Sequence, residues 1–159
     1  MGVAGCGKSS VGVALAPLLG AEYLDGDDLH PPENIARMSR GEPLTDADRA
    51  PWLALIGAAL RPDRARIIGC SALKRIYRRQ ITAAARAPVT FIHLAGSRTV
   101  IEARMRARTG HFMPASLLDS QFAALEPPGP DEQAISVDID QPFDAVVAAI
   151  LTQLAKANP

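Results

Sequence analysis

Gly2-Val3-Ala4-Gly5-Cys6-Gly7-Lys8-Ser9 is the stretch whose reading decides the fold. Its spacing, G-x-x-x-x-G-K-[ST], is that of a phosphate-binding loop. Glycines let the backbone curl until successive N–H groups point at a polyphosphate, and the helix that follows adds its positive N-terminal end. In such a loop Gly2, Gly5, Cys6, Gly7, Lys8, Ser9 and Ser10 surround the nucleotide phosphates. Lys8 reaches the β- and γ-phosphates, and the Ser9 hydroxyl ligates Mg2+. A glycine-rich turn that binds nothing is the bland alternative. It is disfavoured by the match at all three fixed positions and by the apolar helical pattern Val11, Leu15, Leu18 and Leu19 behind it.

A loop of this kind sits between a buried strand and a helix. Only Met1 precedes Gly2, so the first strand is expected to be missing from this chain, with the functional protein beginning some residues earlier. At 159 residues, 48% hydrophobic and 21% charged, the chain suits one substantial core. We expect a single domain over 1–159, with a substrate-binding insert at about 30–60 and a lid at about 104–126. Acidic and basic residues balance at 17 each, so no global field attracts nucleic acid or a membrane surface. Among the basic residues, fourteen arginines outnumber three lysines, which makes Lys8 and Lys74 stand out. The two cysteines, Cys6 and Cys70, lie far apart and fit reduced thiols better than a disulfide framework. No signal peptide or membrane-length apolar run is present, and the expected location is the cytoplasm.

Strand and helix patterns alternate along the chain, which predicts a parallel sheet covered on both faces. Strands are expected near 21–24, 67–70, 89–94 and 135–139. Helices are expected near 8–19, 33–40, 46–60, 73–86, 98–108, 115–125 and 142–156. Thr45 with Asp48 resembles a capping box. In the fourth helix Leu73, Ile76, Tyr77, Gln80, Ile81 and Ala84 roughly share one face.

Asp25 and Asp27 stand two apart at a strand's end, where side chains share a face and where ligands bind in open α/β sheets. In phosphoryl transfer one such carboxylate holds the magnesium shell while the other accepts a proton from the substrate hydroxyl. An ordinary acidic turn is the competing reading. Because the segment Ile67 to Ser71 carries no Asp, Asp25 is the better metal candidate. Arg104, Arg106 and Arg108 border the Gly110-His111 loop, and at most two of them face one way on a helix. They fit a lid closing over ATP, or else a solvated helix face. His93, within an apolar strand, is expected to be a core residue. Cys6, beside Lys8 and backbone N–H groups, is expected to be reactive enough for alkylation to block nucleotide binding.

Asp25-Gly26-Asp27-Asp28-Leu29-His30-Pro31, with Asn34, Met38, Gly41-Glu42-Pro43-Leu44, Asp46, Asp48-Arg49 and Pro51-Trp52-Leu53, resembles the substrate segment of bacterial gluconokinases of the small P-loop, thermoresistant type. The likeness continues through Cys70-Ser71-Ala72-Leu73-Lys74-Arg75, Tyr77-Arg78, Arg108 with Gly110-His111-Phe112, Ser120-Gln121-Phe122, Leu125-Glu126 and Val137-Asp138-Ile139-Asp140-Gln141-Pro142. The resemblance implies an α/β P-loop NTPase three-layer fold of the adenylate/shikimate-kinase kind, with strand order 2-3-1-4-5 and helices on both faces. It implies transfer of the γ-phosphate of ATP, with Mg2+, to the 6-hydroxyl of D-gluconate. It further implies that Lys8, Asp27 and Arg108 are catalytic, with Asp27 on the acceptor hydroxyl, and that Arg104 and Arg108 meet the nucleotide. His30, Arg49, Lys74, Arg78 and His111 would meet the sugar acid, and Ser9 and Asp25 the metal. The family also allows a homodimer.

Two rival readings remain open on the residues alone. One is a kinase of the same fold acting on shikimate or a nucleoside monophosphate. The other is a nucleotide-binding module without turnover, although the chain contains neither the N-K-x-D nor the D-x-x-G motif of a GTPase switch.

Overall fold

The computed structural model describes residues 1–40, 42–61, 63–107 and 115–157. The phosphate loop is a loop for a steric reason: Gly2, Gly5 and Gly7 take φ of 140°, 80° and 97°, values that L side chains avoid. From Gly7 the chain enters α1 (Lys8–Leu18). It returns as β1 (Glu22–Asp25), closes a short 3-10 turn over Gly26–Leu29, and continues into α2 (Pro32–Ser39) and α3 (Asp46–Ala59). The predicted Thr45–Asp48 capping box is formed in both directions, satisfying two helix-end donors at once. Then follow β2 (Arg66–Gly69), α4 (Arg75–Ala85), β3 (Phe91–Ala95), α5 (Arg98–Ala107), α6 (Ala115–Ala124), β4 (Ala134–Asp138) and α7 (Phe143–Ala157).

All strand pairs among the described residues are parallel. β1 pairs with β2, placing Tyr23 opposite Ile67, and β3 pairs with β4, placing Leu94 opposite Val137. β2 and β3 do not pair with each other. Met1 and Gly2 lie between them: the Met1 amino group donates to Ile92 O, Leu94 N–H to Met1 O at 3.0 Å, and Gly2 N–H to Ser71 O at 3.1 Å. Counting those two residues as the first rung gives the expected 2-3-1-4-5 order. Beside Met1 there is a cavity of about 130 Å³, lined by Val11, Leu15, Ile56, Ile67, Ile81 and Phe91 among others.

Apolar residues gather into two cores. One joins α1, α5, α7, β3 and β4 through Val11, Leu15, Leu94, Ile101, Val137 and Ile150. The other joins α3 to α4 through Trp52, Leu53, Ile56, Tyr77 and Ile81. These two helices approach closely because Gly57 faces α4, where a Cβ would lie 2.4 Å from Ile81 O. The face expected for α4 needs one correction. Its buried residues are Tyr77, Arg78, Ile81 and Ala85, whereas Ile76 is 49% exposed. The face turns toward Arg78 because that guanidinium has a buried carboxylate partner.

Candidate active site

The C-terminal ends of β1 and β2 open onto a cavity of about 520 Å³, lined by residues 4–11, Asp25, Asp27, Gly69 and Arg104, with Ile139 and Phe143 on its apolar side. Lys8 Nζ donates to Gly2 O and Val3 O, each at 3.2 Å, so its charge is held over the loop it belongs to. Ser9 Oγ donates to Asp25 Oδ2 at 3.3 Å, and Asp25 Oδ1 accepts the Asp27 N–H at 3.1 Å. The three residues singled out around the phosphates are thus linked in one chain. Among the described residues no group of three or more His, Cys, Asp or Glu side chains could cage a metal. One hydroxyl and one carboxylate nevertheless suit Mg2+, which keeps several waters and takes phosphate oxygens rather than a full protein shell.

Arg104 also belongs to this cavity. Its guanidinium donates to Ile139 O at 2.5 Å and to Cys6 O at 3.5 Å, tying α5 to the phosphate loop and to the end of β4. Arg106 points to solvent and pairs with Glu102 one turn away. Arg108 and His111 lie outside the described residues. Cys6 is 1% exposed, which corrects the expectation of a readily alkylated thiol: the loop presents the backbone of Cys6 and packs its sulfur inward. Sequence reasoning missed Gln121, whose Oε1 accepts the Ala4 N–H at 2.6 Å and so connects α6 to the loop. The only sequence signal was its place in the family likeness.

Asp27 begins a second group of polar side chains. It sits in the 3-10 turn, whose N-cap is Asp25. The turn ends at His30, stacked on Trp52 with ring centroids 4.2 Å apart and planes 10° from parallel. Burial lowers the His30 pKa, with the charges of Asp27 and Arg49 acting on it in opposite directions. Arg49 in turn lies over the Tyr77 ring at 5.8 Å, and Lys74 Nζ over the same ring at 5.5 Å. Lys74 Nζ bonds both oxygens of Asp46 at 2.9 Å, and Tyr77 Oη donates to Asp46 as well. These bonds, the one from Tyr77 first, hold the Asp46 carboxyl below its ordinary range, while Asp46 raises the Lys74 pKa. The structure therefore gathers Arg49 and Lys74 around Tyr77, with Asp46 as a partner that the sequence had not assigned, while His30 stacks on Trp52.

Arg78 is placed differently. It is 1% exposed, forks onto Glu132 at 2.6 and 2.8 Å, and donates to Ala72 O and Leu73 O at 3.1 and 3.2 Å. With its donors spent inside the protein, it faces neither the phosphate cavity nor the Tyr77 group. What it holds is the segment leading into Lys74, where Ala72 adopts φ 42°, a strained value for a non-glycine residue. Cys70, just upstream, is buried, and desolvation pushes its thiol up to about 11, which leaves it inert at neutral pH. His93 is a core residue as expected, 5% exposed and 3.2 Å from Ser136 Oγ.

A scan against protein-family models found no match. Individual relatives are close. The chain is 47% identical over 155 residues to a gluconokinase of Gluconobacter oxydans, covering 95% of this chain and 86% of that one. It is 47% identical over 163 residues to the thermoresistant gluconokinase of Escherichia coli, covering 99% and 93%. A gluconokinase crystal structure from Sinorhizobium meliloti superposes with TM-score 0.87 at 48% identity, covering 98% of this chain and 89% of that one. A shikimate kinase from Aquifex aeolicus, at 17% identity and TM-score 0.59 over 98% and 94% of the two chains, shares the fold alone.

Proposed function

The chain belongs to the gluconokinase family, and on that premise we propose how its own residues carry out the family's reaction, the ATP-dependent phosphorylation of D-gluconate to 6-phospho-D-gluconate. Gly5, Cys6, Gly7, Ser9 and Ser10 bind the phosphates through the backbone and helix end, with Gly2 shaping the loop. Lys8 leaves its contacts with Gly2 O and Val3 O to meet the β- and γ-phosphate oxygens. Ser9 and Asp25 would hold Mg2+, which would supply charge neutralisation for the phosphates. Arg104, anchored on Ile139 O, borders the nucleotide side, and Arg108 from the lid completes the charge around the transferred phosphoryl group.

Asp27 accepts the proton of the acceptor hydroxyl. The observation that supports this assignment is the hydrogen-bonded chain in which Ser9 Oγ donates to the Asp25 carboxylate and that carboxylate accepts the Asp27 N–H, with Asp25 and Asp27 both lining the phosphate cavity. His30, Arg49 and Lys74 orient the sugar acid, the two cations facing its carboxylate and hydroxyls, and His111 is assigned to the same substrate. We assign Arg78 to hold the Lys74 segment in place. In this reading residues 1–159 form one kinase domain, with its acceptor insert at about 30–60 and its lid at about 104–126. We place it in the cytoplasm and expect a homodimer, which its mass in solution tests. Among the described residues no helix is long and apolar enough to cross a membrane.

Asp27→Asn tests the mechanism. A carboxylate that acts on the acceptor proton is worth about 10²–10⁴ in turnover, so kcat should fall by that order while ATP affinity changes by less than about twofold. Near-normal kcat in this variant would remove Asp27 from the chemistry.

A further inference from the structure

Trp52, the only tryptophan in the chain, is 3% exposed and touches the turn that carries Asp27 at both of its ends. Its Nε1–H donates to Gly26 O at 2.7 Å in a buried setting, and its ring face lies against His30 at 4.2 Å. Between those two contacts stand only Asp27, Asp28 and Leu29. The turn has little room to answer a disturbance by shifting sideways. A Cβ at Gly26 would lie 2.5 Å from Gly69 O and 3.0 Å from Ile56 Cδ1, so the backbone is already pressed against the end of β2. Asn34 lies on the other edge of His30, its Nδ2 3.4 Å from His30 Nδ1 and donating to Asp48 O at 2.9 Å.

We propose that Trp52 is the positioning residue of the acceptor turn, its indole N–H fixing Gly26 and its ring fixing His30, so that Asp27 is held at the mouth of the phosphate cavity. The proposal rests on the assignment of Asp27 to the acceptor hydroxyl. Without the N–H, the Gly26 carbonyl loses its bond to α3, and the peptide next to Asp27 is no longer tied to the indole. A small error in that direction is costly, since the carboxylate must stay within hydrogen-bond reach of one hydroxyl.

A chain with a single tryptophan allows a clean test. Biosynthetic replacement of tryptophan by its benzothiophene isostere keeps the shape and the stacking but deletes the N–H. The proposal expects kcat with D-gluconate to fall at least about tenfold and KM for ATP to stay within about twofold, in protein with unchanged circular dichroism. In the unsubstituted protein, Trp52 emission should change as His30 protonates beneath the ring, and that titration should vanish in His30→Phe, where His93 and the neighbouring Asp27 and Arg49 remain. Full kcat in the folded isostere protein, or an emission titration unaltered by His30→Phe, would overturn the proposal. Failure of the underlying assignment looks different: Asp27→Asn would keep its turnover, whereas failure of the Trp52 proposal leaves Asp27→Asn slow and the isostere protein fast.

Discussion

At Arg78 two readings of one residue type part company. An arginine four residues after a lysine, beside a binding loop, reads from sequence as an anion contact, and nothing local distinguishes that from an internal strut. The partner that decides it, Glu132, is 54 positions away. The bidentate bond to Arg78 holds the Glu132 carboxyl down to about 2, so the stability it contributes is present above the ordinary carboxylate range of about 4.3 and is lost as pH falls toward 2. We expect Glu132→Gln to cost about 3–5 kcal/mol in urea unfolding at pH 7, since it strands a buried guanidinium. A loss below about 1 kcal/mol would mean that the pair contributes little. The histidines act in a higher pH window. Burial lowers the pKa of His93, so the folded state prefers the neutral ring, and stability falls as pH drops below the unfolded value of about 6.5. His93→Gln should therefore flatten the decline of Tm between pH 7 and pH 5, and an unchanged slope would contradict this account of the ring. The phosphate-loop residues, by contrast, were legible because the motif dictates a backbone conformation, and three glycines at positive φ are what that conformation requires. The inward sulfur of Cys6 was not legible, because the motif leaves that position's side chain unspecified.

Element boundaries followed from chemistry that is local. The Thr45–Asp48 box, Pro32 in the first turn of α2 and the apolar spacing of α7 each mark a helix without reference to the rest of the molecule. What local pattern could not reveal was which helices touch. The α3–α4 contact depends on Gly57, which in sequence is only a weak helix former, and in the structure is the point where α3 backbone meets Ile81 O. We predict that Gly57→Ala destabilises the protein by about 1–3 kcal/mol despite the better helix propensity of alanine, because the added methyl overpacks the junction. Gly20→Ala is the comparison, since no atom lies within 4 Å of its would-be Cβ and only the φ of 60° opposes the change; it should cost no more than about 1–2 kcal/mol. A loss below about 1 kcal/mol for Gly57→Ala in chemical denaturation would show that the α3–α4 approach is not tight. The same contact supports the acceptor side, because Trp52 and Asp46 lie on α3 while Tyr77 lies on α4.

On the scale of the whole molecule, the order of the strands was legible only through the family likeness, because the phosphate-loop rule says that a strand precedes the loop but not which strands flank it. The observed order has Met1 and Gly2 as its central rung, with a cavity behind them. The division of labour we propose is equally global: the phosphate loop and Asp25 are assigned to the nucleotide, and the 3-10 turn with α3 and α4 to the acceptor, so in this proposal the acceptor is chosen by residues that no single motif contains. Choice of acceptor is also where this protein must differ from the shikimate kinase that shares its fold. The decisive measurement is ADP formation by the protein with ATP and Mg2+, with D-gluconate, shikimate and AMP supplied separately. The account predicts ADP release that depends on D-gluconate, with the other two acceptors at background. ADP release with shikimate or AMP, and none with D-gluconate, would contradict it.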